Sequence, residues 1–181
     1  QALSVSAGNG ATIIDISLDP AGSVSGVVTD VHGNPIPHAW VSATDTDTWN
    51  HLGGTSTDQN GSYTLYLSKL YSGSCKLMAS HYRENYIRQY YDNVLDIDDA
   101  TPVTPGHNHL TGFDFELAKG GQISGTVVRD SDGMPIQGIW VVAYDYDVGY
   151  WGVSAITDQN GNYTIKGIPN GRYWVEVHTW G

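Results

Sequence analysis

Trp140, Tyr144, Tyr146, Trp151 and Trp174 crowd toward the end of the chain. Alternate side chains of an extended backbone share a face. If Ile139, Val141 and Ala143 face inward, then Trp140, Val142, Tyr144 and Tyr146 face outward. By the same alternation Tyr173, Val175 and Val177 point inward and leave Trp174 and His178 outside, with Tyr150 and Trp151 in the loop between. Flat rings beside aspartates and asparagines suit a sugar, because rings stack on C–H faces while carboxylates accept hydroxyl hydrogens. An exposed apolar patch of this kind usually marks a contact. The competing reading is packing: Trp40 recurs as Trp140, and a ring held in common covers a sheet or seats a neighbouring domain.

Other side chains with chemical potential are sparser. Asp45-x-Asp47 and Asp145-x-Asp147 each place two carboxylates on one side of a strand end, where calcium could gather oxygens. The Asp58-Gln59-Asn60-Gly61 turn and its copy at Asp158 are not EF-hands, since the twelfth position from Asp58 is Lys69 rather than glutamate. Apart from that calcium candidacy the chain calls for no cofactor. His107-x-His109 has metal-ligand spacing without an evident third ligand, so a solvated loop pair is the expectation. There is no Gly-x-Ser-x-Gly elbow, His-Glu-x-x-His, phosphate loop or cysteine pair, so no enzyme is expected.

The elements that must position these residues come twice. Gly33-Asn34-Pro35-Ile36 and Trp40-Val41-Ser42-Ala43 return as Gly133-Met134-Pro135-Ile136 and Trp140-Val141-Val142-Ala143. Thr57-Asp58-Gln59-Asn60-Gly61 returns as Thr157-Asp158-Gln159-Asn160-Gly161, and the copies align without a gap from Pro35 to Thr64. A period this long is a small domain. Alternation rather than a helical period predicts strands at Thr12–Leu18, Gly22–Thr29, Ala39–Thr46, after each Asn-Gly hairpin, and at the matching positions of the second copy. Ile14, Ile16 and Leu18 are matched by Phe113, Phe115 and Leu117, and Asp15 by Asp114, so Gly112–Leu117 reads as the opening strand of copy two. Ser25-Gly26 and Ser124-Gly125 suggest a bend or a close backbone approach. Cys75 falls in the slot of Tyr173, a core position. The predicted division is 1–100, a repeat with a tyrosine-rich connector after Ser80, and 101–181. The frame begins upstream at Val5, so the chain reads as a piece cut from a longer string.

Composition narrows the function. In 181 residues there are 22 glycines, 12 tyrosines and 6 tryptophans, which favours short strands and tight turns. A net charge of -11 with only 8 lysines and arginines excludes nucleic acid and an anionic membrane surface as partners. No apolar run is long enough to insert in a membrane. One cysteine permits no internal disulfide.

Together the Ser-Gly strand, the Gly-x-Pro-Ile turn, Thr-Asp-x-x-Gly-x-Tyr and Gly171-x-Tyr173 resemble the carboxypeptidase regulatory-like domain family. Copy one departs at His38, in place of Gly138, and at Cys75. The resemblance implies an all-β chain of two tandem prealbumin-like (Ig-like), seven-stranded antiparallel β-sandwiches. It also implies a noncatalytic accessory module of a larger bacterial secreted or surface protein, hence an extracellular location. Its partners are then the adjacent domains of the parent polypeptide, and a polysaccharide or glycan if the aromatics bind one. The alternatives are a structural spacer or adhesion stalk, and a folding or regulatory appendage of a secreted peptidase.

Overall fold

The computed structural model describes residues 22–67, 73–81, 83–146 and 152–178. The predicted strand 12–18 and residues Asp147, Tyr150 and Trp151 lie outside this set. The described residues contain strands and no helix. A first group comprises β1 (Ser23–Asp30), β2 (Trp40–Asp45), β3 (His51–Ser56), β4 (Ser62–Tyr66), β5 (Cys75–Ser80), β6 (Gln89–Tyr90), β7 (His109–Leu110) and β8 (Phe115–Leu117). A second comprises β9 (Gly121–Thr126), β10 (Trp140–Asp145), β11 (Gly152–Ile156), β12 (Asn162–Ile168) and β13 (Tyr173–His178). In the first group the sheet β4-β1-β7, with β8 also beside β1, packs on β3-β2-β5-β6; in the second, β12-β9 packs on β11-β10-β13. Each pair of sheets encloses its own apolar core, so the fold is all-β and built as sandwiches.

The hairpins follow the expected turn chemistry. Asp58 Oδ1 accepts the backbone N–H groups of Asn60 and Ser62 at 2.8 and 2.9 Å, and Asp158 repeats this with Asn160 and Asn162. Gly61 and Gly161 take φ of 72° and 74°, where a side chain would be strained. The preceding threonine does more than its sequence neighbours suggest. Buried Thr57 donates its hydroxyl to Ile36 O at 2.6 Å and accepts Ala39 N–H at 2.9 Å, tying the Pro-Ile turn to the next hairpin. Thr157 makes the same pair of bonds to Ile136 and Ile139.

One expectation is corrected. The segment 112–117 does not open the second sandwich; it closes the first. β7 and β8 run parallel to β1, with Val24 beside Leu110 and Val28 beside Phe115. Val103, Phe115 and Leu117 are buried in the first core, so a division at residue 100 falls inside that core. The reason is area: without these side chains Val24, Val28 and Leu77 would face water. The parallel pairing also departs from the purely antiparallel sandwich that was expected.

The Ser-Gly strand explains how the closing segment fits. A Cβ at Gly26 would collide with the Phe113 carbonyl, so the close backbone approach suggested by the sequence is the one that occurs. Around this crossing Tyr63 donates its hydroxyl to Phe113 O at 2.6 Å, and Val27 N–H reaches Asp114 Oδ1 at 2.8 Å. Among the described residues the matching inward positions of the two sandwiches differ in exposure. Leu77 and Ala79 of β5 are fully buried, whereas Val175 and Val177, their counterparts on β13, point toward the second core yet remain 42% and 52% exposed.

Candidate functional site: an aromatic face and a bonded junction

The register of β10 against β13 brings Tyr144 opposite Trp174 and Trp140 opposite His178. Because both strands turn these residues away from the core, the side chains meet on the outer face. Tyr144 and Trp174 lie 5.8 Å apart at 30°, and Tyr146 meets Trp174 edge-on at 5.8 Å and 81°. Arg172 caps the Tyr146 ring at 4.6 Å, a cation–π contact. Tyr144 is half-buried, its hydroxyl 3.2 Å from His178 Nε2. Trp140, Tyr146 and Trp174 are 41%, 58% and 36% exposed. So Tyr144, Tyr146 and Trp174 form one cluster, and Trp140 stands two alternations along β10 from Tyr144.

The recurring tryptophans are seated differently. A Cβ at Gly54 would run into the Trp40 ring, so Trp40 lies flat across β3 and is half-buried. The counterpart of Gly54 in copy two is Ser154, opposite Val142, and Trp140 itself pairs with Ile156. In copy one the ring packs; in copy two it is presented.

The aspartate and histidine candidates have structural employment. Asp45 Oδ1 accepts Asp47 N–H, Thr48 N–H and the Thr48 hydroxyl at 2.9, 2.7 and 2.9 Å, which closes the turn after β2. Asp145 sits beside Tyr173, whose hydroxyl pKa is raised first by burial and then by that carboxylate. Among the described residues no three histidine, cysteine or acidic side chains come together as a metal site. His109 is held on β7, with Nδ1 2.7 Å from Ser23 Oγ and Nε2 3.3 Å from Ser25 Oγ, so it is exposed as expected but sits on a strand rather than in a loop. Cys75 is fully buried, as its core slot implied. Burial, and then the Asp45 charge, push its thiol up to about 11.

A feature that the sequence did not reveal lies between the sandwiches. Asn85, in the connector after β5, binds the second sandwich with three groups. Its side-chain amide donates to Gly120 O, its Oδ1 accepts Gly167 N–H at 2.6 Å, and its backbone carbonyl accepts Gly120 N–H at 2.8 Å. Ile87 N–H bonds Ala118 O at 2.9 Å alongside. Lys119 lies 3.6 Å above the Tyr86 ring and 3.0 Å from Glu84 Oε2. Gly167 is needed here, since a Cβ on it would strike the Tyr86 carbonyl. No sequence signal marks Asn85, because it sits in an irregular connector outside any alternating run or turn motif.

The carboxypeptidase regulatory-like domain family matches residues 122–181. Comparison with curated protein sequences finds no match. Among solved structures the chain is similar to the Bacillus anthracis TIE protein, at 17% identity and a TM-score of 0.41, over 89% of this chain and 29% of that one. It is similar to a streptococcal ancillary pilin at 15% identity and 0.41, over 88% of this chain and 54% of that one. It is also similar to the shaft pilin spaA from Lactobacillus rhamnosus GG at 9% identity and 0.38, over 89% and 88%. The chain thus spans about a third and about half of the first two proteins.

Proposed function

We propose that this chain is a noncatalytic structural module, a stiff two-sandwich spacer within a larger extracellular protein. The observation that carries the reading is the Asn85 junction. A flexible linker would leave the amide and carbonyl groups of Gly120 and Gly167 to water, whereas here one asparagine engages both glycines. Polar groups fixed in this way resist bending, because each tilt of one sandwich breaks several bonds together. The match of residues 122–181 to the carboxypeptidase regulatory-like domain family supports the same class of role.

Spin labels at Gln59→Cys and Gln159→Cys, both on exposed hairpin tips, test the stiffness by pulsed dipolar spectroscopy. The expected result is a narrow distance distribution that broadens in Asn85→Ala. A broad distribution in the parent chain would remove the spacer reading.

A second reading is favoured by the outer face of β10 and β13: the exposed rings of Trp140, Tyr146 and Trp174, with Tyr144 behind them, bind a glycan. Trp151 and the calcium candidates Asp45, Asp47, Asp145 and Asp147 are left as adjuncts of this reading, with the Asp45 carboxylate already engaged in its turn. Electrophoretic retardation in gels cast with starch or chitin checks it. Retardation that disappears in Trp174→Ala, with a stability loss no larger than the ~0.5–1.5 kcal/mol of a ring pair, supports binding. Unretarded migration of the parent chain in both gels rejects it.

A further inference from the structure

Beside the Asn85 junction, β5, the connector after it and the strands β11 and β12 enclose a cleft of about 620 Å³. That volume lies within the roughly 300–1,000 Å³ of ligand sites. The cleft differs in charge from the rest of the molecule. Arg83, Arg88 and Lys166 line it, and Lys119 stands 3.6 Å over the ring of Tyr86, another lining residue. These are half of the 8 lysines and arginines in a chain of net charge -11. The one carboxylate among the described lining residues, Glu84, is already engaged by Lys119 at 3.0 Å. Charges elsewhere on the surface are screened beyond about 8 Å at physiological ionic strength, so the cleft presents its own positive sign.

The basic wall is fastened from both sides. His81 Nδ1 accepts Glu84 N–H at 3.0 Å, and its Nε2 donates to Pro37 O at 3.2 Å. Lys166 Nζ donates to Arg83 O at 3.4 Å. The segment that carries Arg83 is thus tied to the first sandwich by His81, and to the second by Lys166 and Asn85. A wall fixed in advance loses little freedom when a ligand arrives.

The facing wall is the edge of a strand. Neighbouring residues of a strand point to opposite faces, yet Gly152, Val153 and Ser154 all border the cleft. Three in succession do so where a cleft meets the strand edge-on. β11 is the border strand of its sheet, paired with β10, and a border strand offers outward N–H and C=O groups.

We propose that this cleft binds an extended acidic peptide of a partner protein, which adds to β11 as a further strand and sets its carboxylates on Arg83, Arg88 and Lys166. An edge of amide donors and carbonyl acceptors matches another backbone. Arginine suits the carboxylates because its planar fork holds both oxygens. A polysaccharide fits less well, since the Tyr86 ring on the wall already has Lys119 over its face, where a sugar would stack. The inference goes beyond a spacer but rests on the bonded junction, because Asn85 holds the connector wall against the second sandwich.

Fluorescence anisotropy of the full chain with a labelled heptapeptide of alternating valine and glutamate tests the proposal. The expected result is saturable binding that fades with added salt. Arg83→Gln and Lys166→Gln should each weaken it about tenfold, the worth of one charge-assisted hydrogen bond. Both side chains are exposed, so both variants should keep the parent melting temperature. N-methylating alternate residues of the peptide removes the N–H groups along one of its edges and leaves the protein untouched. In one phase this should abolish binding, and in the other preserve it. A peptide that does not bind, equal losses in both phases, or binding indifferent to both substitutions overturns the proposal. Polygalacturonate binding in place of the peptide, with the same dependence on Arg83 and Lys166, overturns it in favour of an acidic glycan. The label distances between positions 59 and 159 separate this inference from the spacer reading. A narrow distribution without peptide binding overturns the inference alone, and a broad one without binding overturns both.

Discussion

At the scale of single residues the two repeats differ where chemistry would differ. Cys75 takes the slot that Tyr173 fills in the second copy, and there it behaves as a small hydrophobe. Its thiol, moved from 9.0 to about 11 by burial and by Asp45, stays protonated in the folded chain while an unfolded chain would ionise. Between those values the unfolded state binds fewer protons, so the thiol's contribution to stability is whole below pH 9 and shrinks as pH climbs toward 11. A Cys75→Ala chain should lose stability less steeply over that window, as followed by urea melts. Native labelling with a thiol reagent should also be slow and become complete only on unfolding; fast labelling at neutral pH would contradict the burial. His38 shows the opposite kind of exchange. It holds φ at 61° where Gly138 has 79°, so copy one keeps the turn and accepts a residue that the left-handed region disfavours. The repeated threonines were visible in the aligned motif, but their role was not. Only the fold brings the Thr57 hydroxyl beneath Ile36 and Ala39.

Strands carry the next level, and here the glycines of the Ser-Gly pairs are informative. Both were readable as sites of close approach, yet what approaches differs. Gly26 meets the backbone of β8's lead-in at Phe113, whereas Gly125 meets the end of its own neighbour's side chain, the Tyr163 hydroxyl. Backbone cannot swing aside as a side-chain terminus can. Gly26→Ala should therefore cost about 1–3 kcal/mol in chemical denaturation, and Gly125→Ala clearly less. Equal costs would mean that the Phe113 crossing is not what the glycine serves. The assignment of 112–117 to the second repeat failed at this same level. Sequence alternation identifies a strand and its buried face, but a strand lying between two sandwiches can close the one behind it or open the one ahead. The choice falls to whichever core lacks cover, and β1 had an edge to fill. The outward aromatics of β10 were legible for the converse reason: alternation alone settles which side of a strand a residue takes, once its inward neighbours are known.

Across the described residues the two repeats share a plan of two sheets around an apolar core. Among the described residues the first core collects apolar side chains from the connector and from β7 and β8, and the second gathers Val141, Ala143, Ile165 and Ile168. Between them the Asn85 bonds turn a covalent link into a fitted joint, and the stiffness expected of the spacer resides there rather than in either sandwich. The sequence by itself determined the all-β character, the hundred-residue repeat, its turns and the outward aromatic row, because periodicity and turn chemistry are local properties of the chain. Only the tertiary structure decided that residues 103–117 belong to the first core and that Asn85 joins the units. Those depend on which apolar surface is covered and by what, and coverage is a property of segments meeting across the fold that no local pattern records.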